Sequence, residues 1–218
     1  MKKHLVLPLA IYLTSTFVCL NGYCRIDTQT NVGTNKIGIQ LDLKSGSLDF
    51  LKQEKQINLE FVYDGMTVDK LREEDYVAQK VEERNKQEAG RGDRWRDEWI
   101  QNRAAKFQPK FQALLNKQFS SRKKPLQFGS FKDSKYTLIL KTTFTEPGWH
   151  AGVINVPAYI DADAIFVETQ NRAEVAAVIT ITKAPGWSEF DFDVAKRIQE
   201  SYAKAGKELG IFISKQIK

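Results

Sequence analysis

Hydrophobic positions along this chain change period three times, and each change marks a different kind of element. Ile37, Ile39, Leu41 and Leu43 alternate with Gly38, Gln40 and Asp42, and Ile57, Leu59, Phe61 and Tyr63 repeat the alternation before Asp64-Gly65. That period predicts two half-buried strands, with Lys44-Ser45-Gly46-Ser47 as a loop between them. Residues 67–119 are rich in Glu, Lys, Arg, Gln and Ala, and their apolar positions fall three and four apart. This predicts a helical hairpin. Its first helix carries Leu71, Val77, Ala78 and Val81 and is capped by Thr67 or Asp69; Gly90-Arg91-Gly92 breaks it. Its second helix, capped by Asp93, carries Ile100, Ala104, Phe107, Phe111, Leu114 and Leu115. Pro109 should kink or split that helix, because it removes a backbone donor and clashes with the preceding turn.

Strand periodicity then returns over Tyr136–Phe144, Val153–Val167 and Val175–Thr182, three runs whose short connections predict an antiparallel meander. In the middle run Ile154, Val156, Ala158, Ile160, Ala162, Ala164 and Phe166 share one face, while Asn155, Pro157, Tyr159, Asp161 and Asp163 share the other. One face is therefore buried and the other wet. Fifteen residues would extend about 50 Å, so a bulge or bend is expected near Pro157. From Asp193, a capping residue, to Lys218 the pattern is helical again, with Val194, Ile198, Tyr202, Ala205, Leu209, Phe212 and Ile213 as its stripe. Gly206 and Gly210 beside that stripe predict a close approach to the sheet. Together these elements predict an α+β, two-layer domain, its mainly antiparallel sheet covered on one face by the helical hairpin and the long C-terminal helix.

The N-terminus reads differently from the rest. Lys2, Lys3 and His4 precede an apolar run from Leu5 to Leu20, and Gly22 and Cys24 supply small residues at minus three and minus one for cleavage before Arg25. Residues 1–24 thus read as an export signal, residues 25–35 as a flexible mature terminus and residues 36–218 as one domain. As a membrane anchor, this sixteen-residue run would span only about 24 Å of a core about 30 Å thick, and Pro8, Thr14 and Thr16 interrupt it. Lipidation would need a small-residue box before Cys19 or Cys24, where Phe17, Val18 and Tyr23 are bulky instead. The expected location is periplasmic or secreted, with no transmembrane anchor after cleavage.

Removing the signal changes the chemistry that remains. The 218 residues become 194, and loss of Lys2 and Lys3 takes 33 basic residues to 31 against 27 acidic ones. Both cysteines and His4 leave with it, so His150 is the sole mature histidine. No disulfide framework can form, and a single imidazole cannot build a zinc site. No metal or cofactor is predicted. The densest basic cluster, Ser121-Arg122-Lys123-Lys124-Pro125, reads as a solvated loop rather than a nucleic-acid contact. The chain has neither a Gly-x-Ser-x-Gly elbow nor a Gly-x-x-x-x-Gly-Lys phosphate loop.

What stands out is a repeated tripeptide. Glu146-Pro147-Gly148-Trp149-His150 and Ala184-Pro185-Gly186-Trp187-Ser188-Glu189 follow the first and third strands of the meander, which run the same way and so end at the same side of the sheet. The candidate ligand or partner surface is Trp149, His150, Trp187, Glu189 and Phe190, because flat aromatic rings beside polar groups stack on sugars or anchor peptides. The competing reading is that Pro-Gly only makes the turns and each indole folds over the core edge. Asp161 and Asp163, about 7 Å apart on one strand face, could serve as catalytic carboxylates or could simply form salt bridges. Trp95 and Trp99, four apart on a helix, fit core packing or a partner ridge. Arg91-Gly92-Asp93 is accounted for by its helix-breaking glycine and capping aspartate.

Lys135-Tyr136-Thr137-Leu138-Ile139-Leu140-Lys141-Thr142, then Thr145-Glu146-Pro147-Gly148-Trp149, and the ending Tyr202-Ala203-Lys204-Ala205-Gly206-Lys207-Glu208-Leu209-Gly210 resemble a group of small exported proteins of Bacteroides-like bacteria. The resemblance spans the C-terminal 90 residues and implies no particular activity. The preferred function is a non-enzymatic binding or accessory module of the bacterial envelope, meeting an envelope protein or glycan through its Pro-Gly-Trp loops. A carboxylate-based hydrolase and a structural subunit of an envelope assembly are the alternatives.

Overall fold

The computed structural model describes residues 38–120, 126–151, 154–187 and 193–217, with backbone alone at 150–151 and 154–155. The expected export signal and mature terminus, the basic cluster at 121–125, and Glu189 and Phe190 lie outside the described residues. In chain order the elements are β1 (Gln40–Gly46), a 3-10 turn (Asp49–Lys52), β2 (Gln56–Val62), β3 (Thr67–Val68) and β4 (Leu71–Arg72). Then come α1 (Glu73–Gln87), α2 (Arg91–Asn102), a π-helical turn (Arg103–Phe107), α3 (Gln108–Ser120), β5 (Gln127–Gly129) and β6 (Tyr136–Glu146). The chain continues with β7 (Trp149–Ala151), β8 (Ile154–Val156), β9 (Ala158–Glu168), β10 (Val175–Gly186) and α4 (Val194–Gln216). The fold is α+β. Its eight-stranded sheet has the order β1-β10-β9-β6-β2-β5, with β3 beside the end of β6 and paired to β4; β7 and β8 form a separate two-stranded ribbon.

The meander forms as its alternation predicts: β6, β9 and β10 pair antiparallel. Ala158, Ile160, Ala162, Ala164 and Phe166 are fully buried together with Leu138, Leu140, Ile179 and Ile181 of the flanking strands. Tyr159, Asp161, Asp163 and Ile165 are half-buried on the opposite face. The long middle run breaks at Pro157, between β8 and β9, where a proline cannot donate to the ladder.

The two N-terminal strands lie apart in the sheet: β1 pairs with β10 at one edge while β2 lies parallel to β6 and β5 near the other. The turn between them carries the chain across the end of the sheet by burying Leu48 and Leu51, while Phe50 meets the rings of Tyr136 and Phe166 at 4.3 and 5.7 Å. The first helix begins at Glu73 rather than near Thr67, since Thr67 and Val68 pair with Phe144 and Thr145 of β6. Asp69, with φ at 53°, turns the chain back into β4.

The interruption expected at Pro109 is met by the π-helical turn just before it. There the Gln108 N–H reaches the Arg103 carbonyl, five residues back, so a widened turn accommodates a position where the usual bond cannot form. Phe107 then stacks on Tyr202 of α4 at 5.2 Å, and Phe111, Leu115 and Phe119 are buried. Gly206 and Gly210 do mark a close approach, but to α3 and not to the sheet. A Cβ at Gly206 would strike the backbone of Phe111, and one at Gly210 would strike Gln118 and the Leu115 carbonyl. No helix among the described residues is long and apolar enough to cross a membrane.

Candidate functional site

The two Pro-Gly-Trp loops leave the same end of the sheet and flank the same residue. Glu146 of β6 and Pro185 of β10 are both register partners of Tyr159 on β9, so the strand ends lie two spacings apart, about 10 Å. Both outer strands slip register just before that end, between Thr142 and Phe144 in β6 and between Ile181 and Ala184 in β10. Such bulges bend a strand and re-aim the residues beyond the bend. The β10 bulge places Lys183 at φ 53°, and its N–H donates to Asp161 Oδ1 at 2.6 Å.

One residue on α4 ties the loops together. Arg197 is only 2% exposed, and its Nε and Nη2 donate to the carbonyls of Pro147 and Gly148 at 3.4 and 3.3 Å. Its own carbonyl faces Gly186 so closely that a Cβ there would overlap it. The first loop is fixed further by the Glu146 carboxylate, which accepts the Gly148 N–H at 3.1 Å. Gly148 needs φ +65°, and a Cβ on it would strike the Val156 carbonyl. The loop backbones are thus held by α4 and by the β7–β8 ribbon.

Their indoles are not folded over the core: Trp149 is 49% and Trp187 is 59% exposed. The structure therefore brings Trp149 and Trp187 to one end of the sheet. His150 follows within β7 by its backbone, but its side chain, with Glu189 and Phe190, lies outside the described residues. Two further aromatics join this end. Phe144 and Tyr159 pack ring on ring at 5.4 Å, and the Tyr159 pKa is raised by burial and then by the negative charges of Glu146, Asp161 and Asp69. Alternation alone gave no reason to single them out. Their signal is cross-strand adjacency, which emerges only after the β6 bulge shifts Phe144 opposite Asp161.

The carboxylates on the half-buried sheet face are engaged in holding strands. Asp161 pins the β10 bulge, and Asp163 accepts from the Thr180 hydroxyl at 2.9 Å and lies opposite Lys141. Among the described residues no group of three His, Cys, Asp or Glu side chains could hold a metal ion. Trp95 and Trp99 pack into the hairpin, with ring centroids 5.6 Å apart and each within 6.2 Å of Tyr76. In Arg91-Gly92-Asp93 the glycine lies against the Val81 backbone, while the aspartate holds Asn85 and Arg96.

No protein-family model matches the chain, and no curated protein matches it. Among solved structures, the PelC dodecamer from Paraburkholderia phytofirmans and a point variant of it each align at 12% identity with a TM-score of 0.35. The alignment covers 77% of this chain and 97% of that one, a likeness too slight to carry an argument about function.

Proposed function

We propose that the chain is an exported, non-enzymatic binding or accessory module of the bacterial envelope, which holds an envelope protein or glycan with Trp149 and Trp187. The observation that carries the reading is the pair of half-exposed indoles on loops whose backbones one buried arginine ties together. Large apolar rings left in water on fixed backbone are what an interface anchor needs, because little motion has to be frozen when a partner arrives. Export rests on the charged start, apolar run and small-residue ending of residues 1–24. Hydrolysis is the weaker reading, since Asp161 and Asp163 join no group of three acidic, histidine or cysteine side chains among the described residues, and each gives one oxygen to β10.

The test is a crosslinked pull-down of the mature protein from its native envelope, run beside the Trp149→Ala/Trp187→Ala double variant. A partner captured by the parent and lost from a variant that still melts cooperatively supports the reading. Capture of the same set by both proteins, or of nothing by either, overturns it. N-terminal sequencing of the protein recovered from the envelope should begin at Arg25; a chain still beginning at Met1 refutes the export signal.

A further inference from the structure

The sign of the charge at the Pro-Gly-Trp end of the sheet narrows what the loops can hold. Tyr159 stands between the two loop starts, opposite Glu146 on one side and Pro185 on the other, with its ring on Phe144 at 5.4 Å. Three carboxylates lie about this aromatic pair. Glu146 begins the first loop, Asp161 is the register partner of Phe144, and the Asp69 N–H ties that residue to the Thr145 carbonyl at 3.1 Å. Glu146 and Asp161 each accept from a backbone N–H, of Gly148 at 3.1 Å and of Lys183 at 2.6 Å. Those donors are neutral, so they fix the carboxylates without cancelling their charge.

The nearby cations do not offset them. Arg197 is buried with its guanidinium on the Pro147 and Gly148 carbonyls. Lys70 and Lys183 are exposed, yet the Tyr159 pKa is raised by burial and then by Glu146, Asp161 and Asp69, all of them negative. We propose that this end of the sheet binds a basic segment of a partner protein, with arginine side chains over Trp149 and Trp187 and the opposite charge supplied by Glu146, Asp161 and Asp69. The proposal rests on the reading of these loops as a binding surface and adds the chemistry of the partner. An exposed indole face attracts a cation laid over it, and a guanidinium both stacks on such a ring and pairs with carboxylates. The carboxylates serve as fixed charges and exchange no proton. A neutral glycan would stack on the rings but leave three charges uncompensated, and an acidic glycan or peptide would be repelled.

The test titrates the mature protein with acetylated, amidated Gly-Arg, Gly-Gln and Gly-Glu repeat peptides and with maltotetraose, following the indole N–H signals of Trp149 and Trp187 by NMR. The Gly-Arg peptide should give saturable shifts at both indoles, with a Kd on the order of millimolar. The Gly-Gln peptide should bind about tenfold more weakly and the Gly-Glu peptide should not bind, because exposed charges contribute little singly and three act together here. Raising the salt from about 0.1 to 1 M, which shortens the screening length from about 10 to 3 Å, should weaken the Gly-Arg complex. Asp69→Asn/Glu146→Gln/Asp161→Asn keeps amide oxygens to accept from Gly148 and Lys183, and Asn tolerates the φ of 53° at position 69. That variant should melt as the parent does and bind the Gly-Arg peptide about tenfold more weakly. No saturable shift with Gly-Arg, equal affinity for Gly-Gln, tighter binding of maltotetraose, or parent affinity in the folded triple variant overturns the proposal; should the variant not fold, the peptide and salt comparisons decide it. Equal affinity or a preference for the sugar would leave the binding surface itself standing, whereas a parent that captures nothing in the pull-down removes both.

Discussion

The packing of β10 on α4 is most sharply tested by Gly186→Ala. Gly186 has an ordinary backbone conformation, so the substitution carries no φ penalty and its whole cost is steric. The added Cβ would overlap the Arg197 carbonyl and press on the Ser201 hydroxyl and N–H. Two of those three atoms are helix backbone and cannot rotate away. Overpacking costs about 1–3 kcal/mol, and a clash with backbone belongs at the top of that range. In a domain of this size each kcal/mol lowers Tm by about 2–4 °C, so a fall of about 6–12 °C is expected in a reversible thermal melt followed by circular dichroism. Gly65→Ala is the control. Its φ is +73° but its Cβ would meet nothing within 4 Å, leaving only the backbone penalty of roughly 1–2 kcal/mol. Adding Ser201→Ala to Gly186→Ala should recover only part of the loss, since the carbonyl remains in place. A Tm within about 2 °C of the parent, or no lower than that of Gly65→Ala, would refute the close contact on which the fixed loop geometry depends.

Three other outcomes rest on the buried and paired polar groups. Tyr202 is fully buried with its hydroxyl 2.7 Å from that of Thr142, and burial pushes its pKa well above 10. The folded chain keeps a proton that the unfolded chain releases, so stability is intact below about pH 10 and falls as pH rises beyond it. Tyr202→Phe should cost about 1 kcal/mol at pH 7 and flatten that alkaline fall in urea melts; Tyr63 and Tyr76, also raised by burial, should retain part of it. Asp193→Ala removes the acceptor for the Ala195 N–H and should lower Tm by about 2–4 °C, the effect of about 1 kcal/mol lost at a helix cap. The paired bonds from Arg172 lower the Glu60 pKa, so their contribution is present above the usual carboxylate range and lost as pH falls through the lowered value. Because both side chains are exposed, an Arg172→Ala/Glu60→Gln double-mutant cycle should return under about 1 kcal/mol at pH 7 and nothing once Glu60 is protonated.

Local pattern was enough wherever one element decides its own form. The even-numbered face of β9, the break at Pro157 and the Asp193 cap could all be read from a few adjacent residues. Partner choice could not be read in this way. The alternation of Ile57, Leu59 and Phe61 says which face of β2 is buried, but it does not say that Leu138 of β6 runs parallel beside Leu59. Arg197 was missed because a long basic side chain on a helix is normally solvated. The available signal was its company: Ser201 and Ala205 follow it along α4 at four-residue spacing as small residues, the trace of a face packed too closely for bulk. The contact of Arg84 with Trp95 was hidden for a related reason, since the two meet where Gly90 and Gly92 fold α1 tightly onto α2.

The same contacts that fix the Pro-Gly-Trp loops weigh binding against catalysis at that end of the sheet. General acid–base chemistry needs a carboxylate that can reach a substrate proton within a sheltered cleft. Asp161 instead spends an oxygen on the Lys183 N–H, and freeing it would release the bulge that directs β10 toward Trp187. Using it as a base would therefore disturb the surface that presents the substrate. A binding role makes no such demand. Ordering a side chain at an interface costs about 0.5–1.5 kcal/mol, and Arg197, Glu146 and Asp161 have already met the backbone share of that cost in the free protein. Two indoles presented in this way add contact area to a partner at little further entropic loss, and for that the chain needs no titrating group at this end at all.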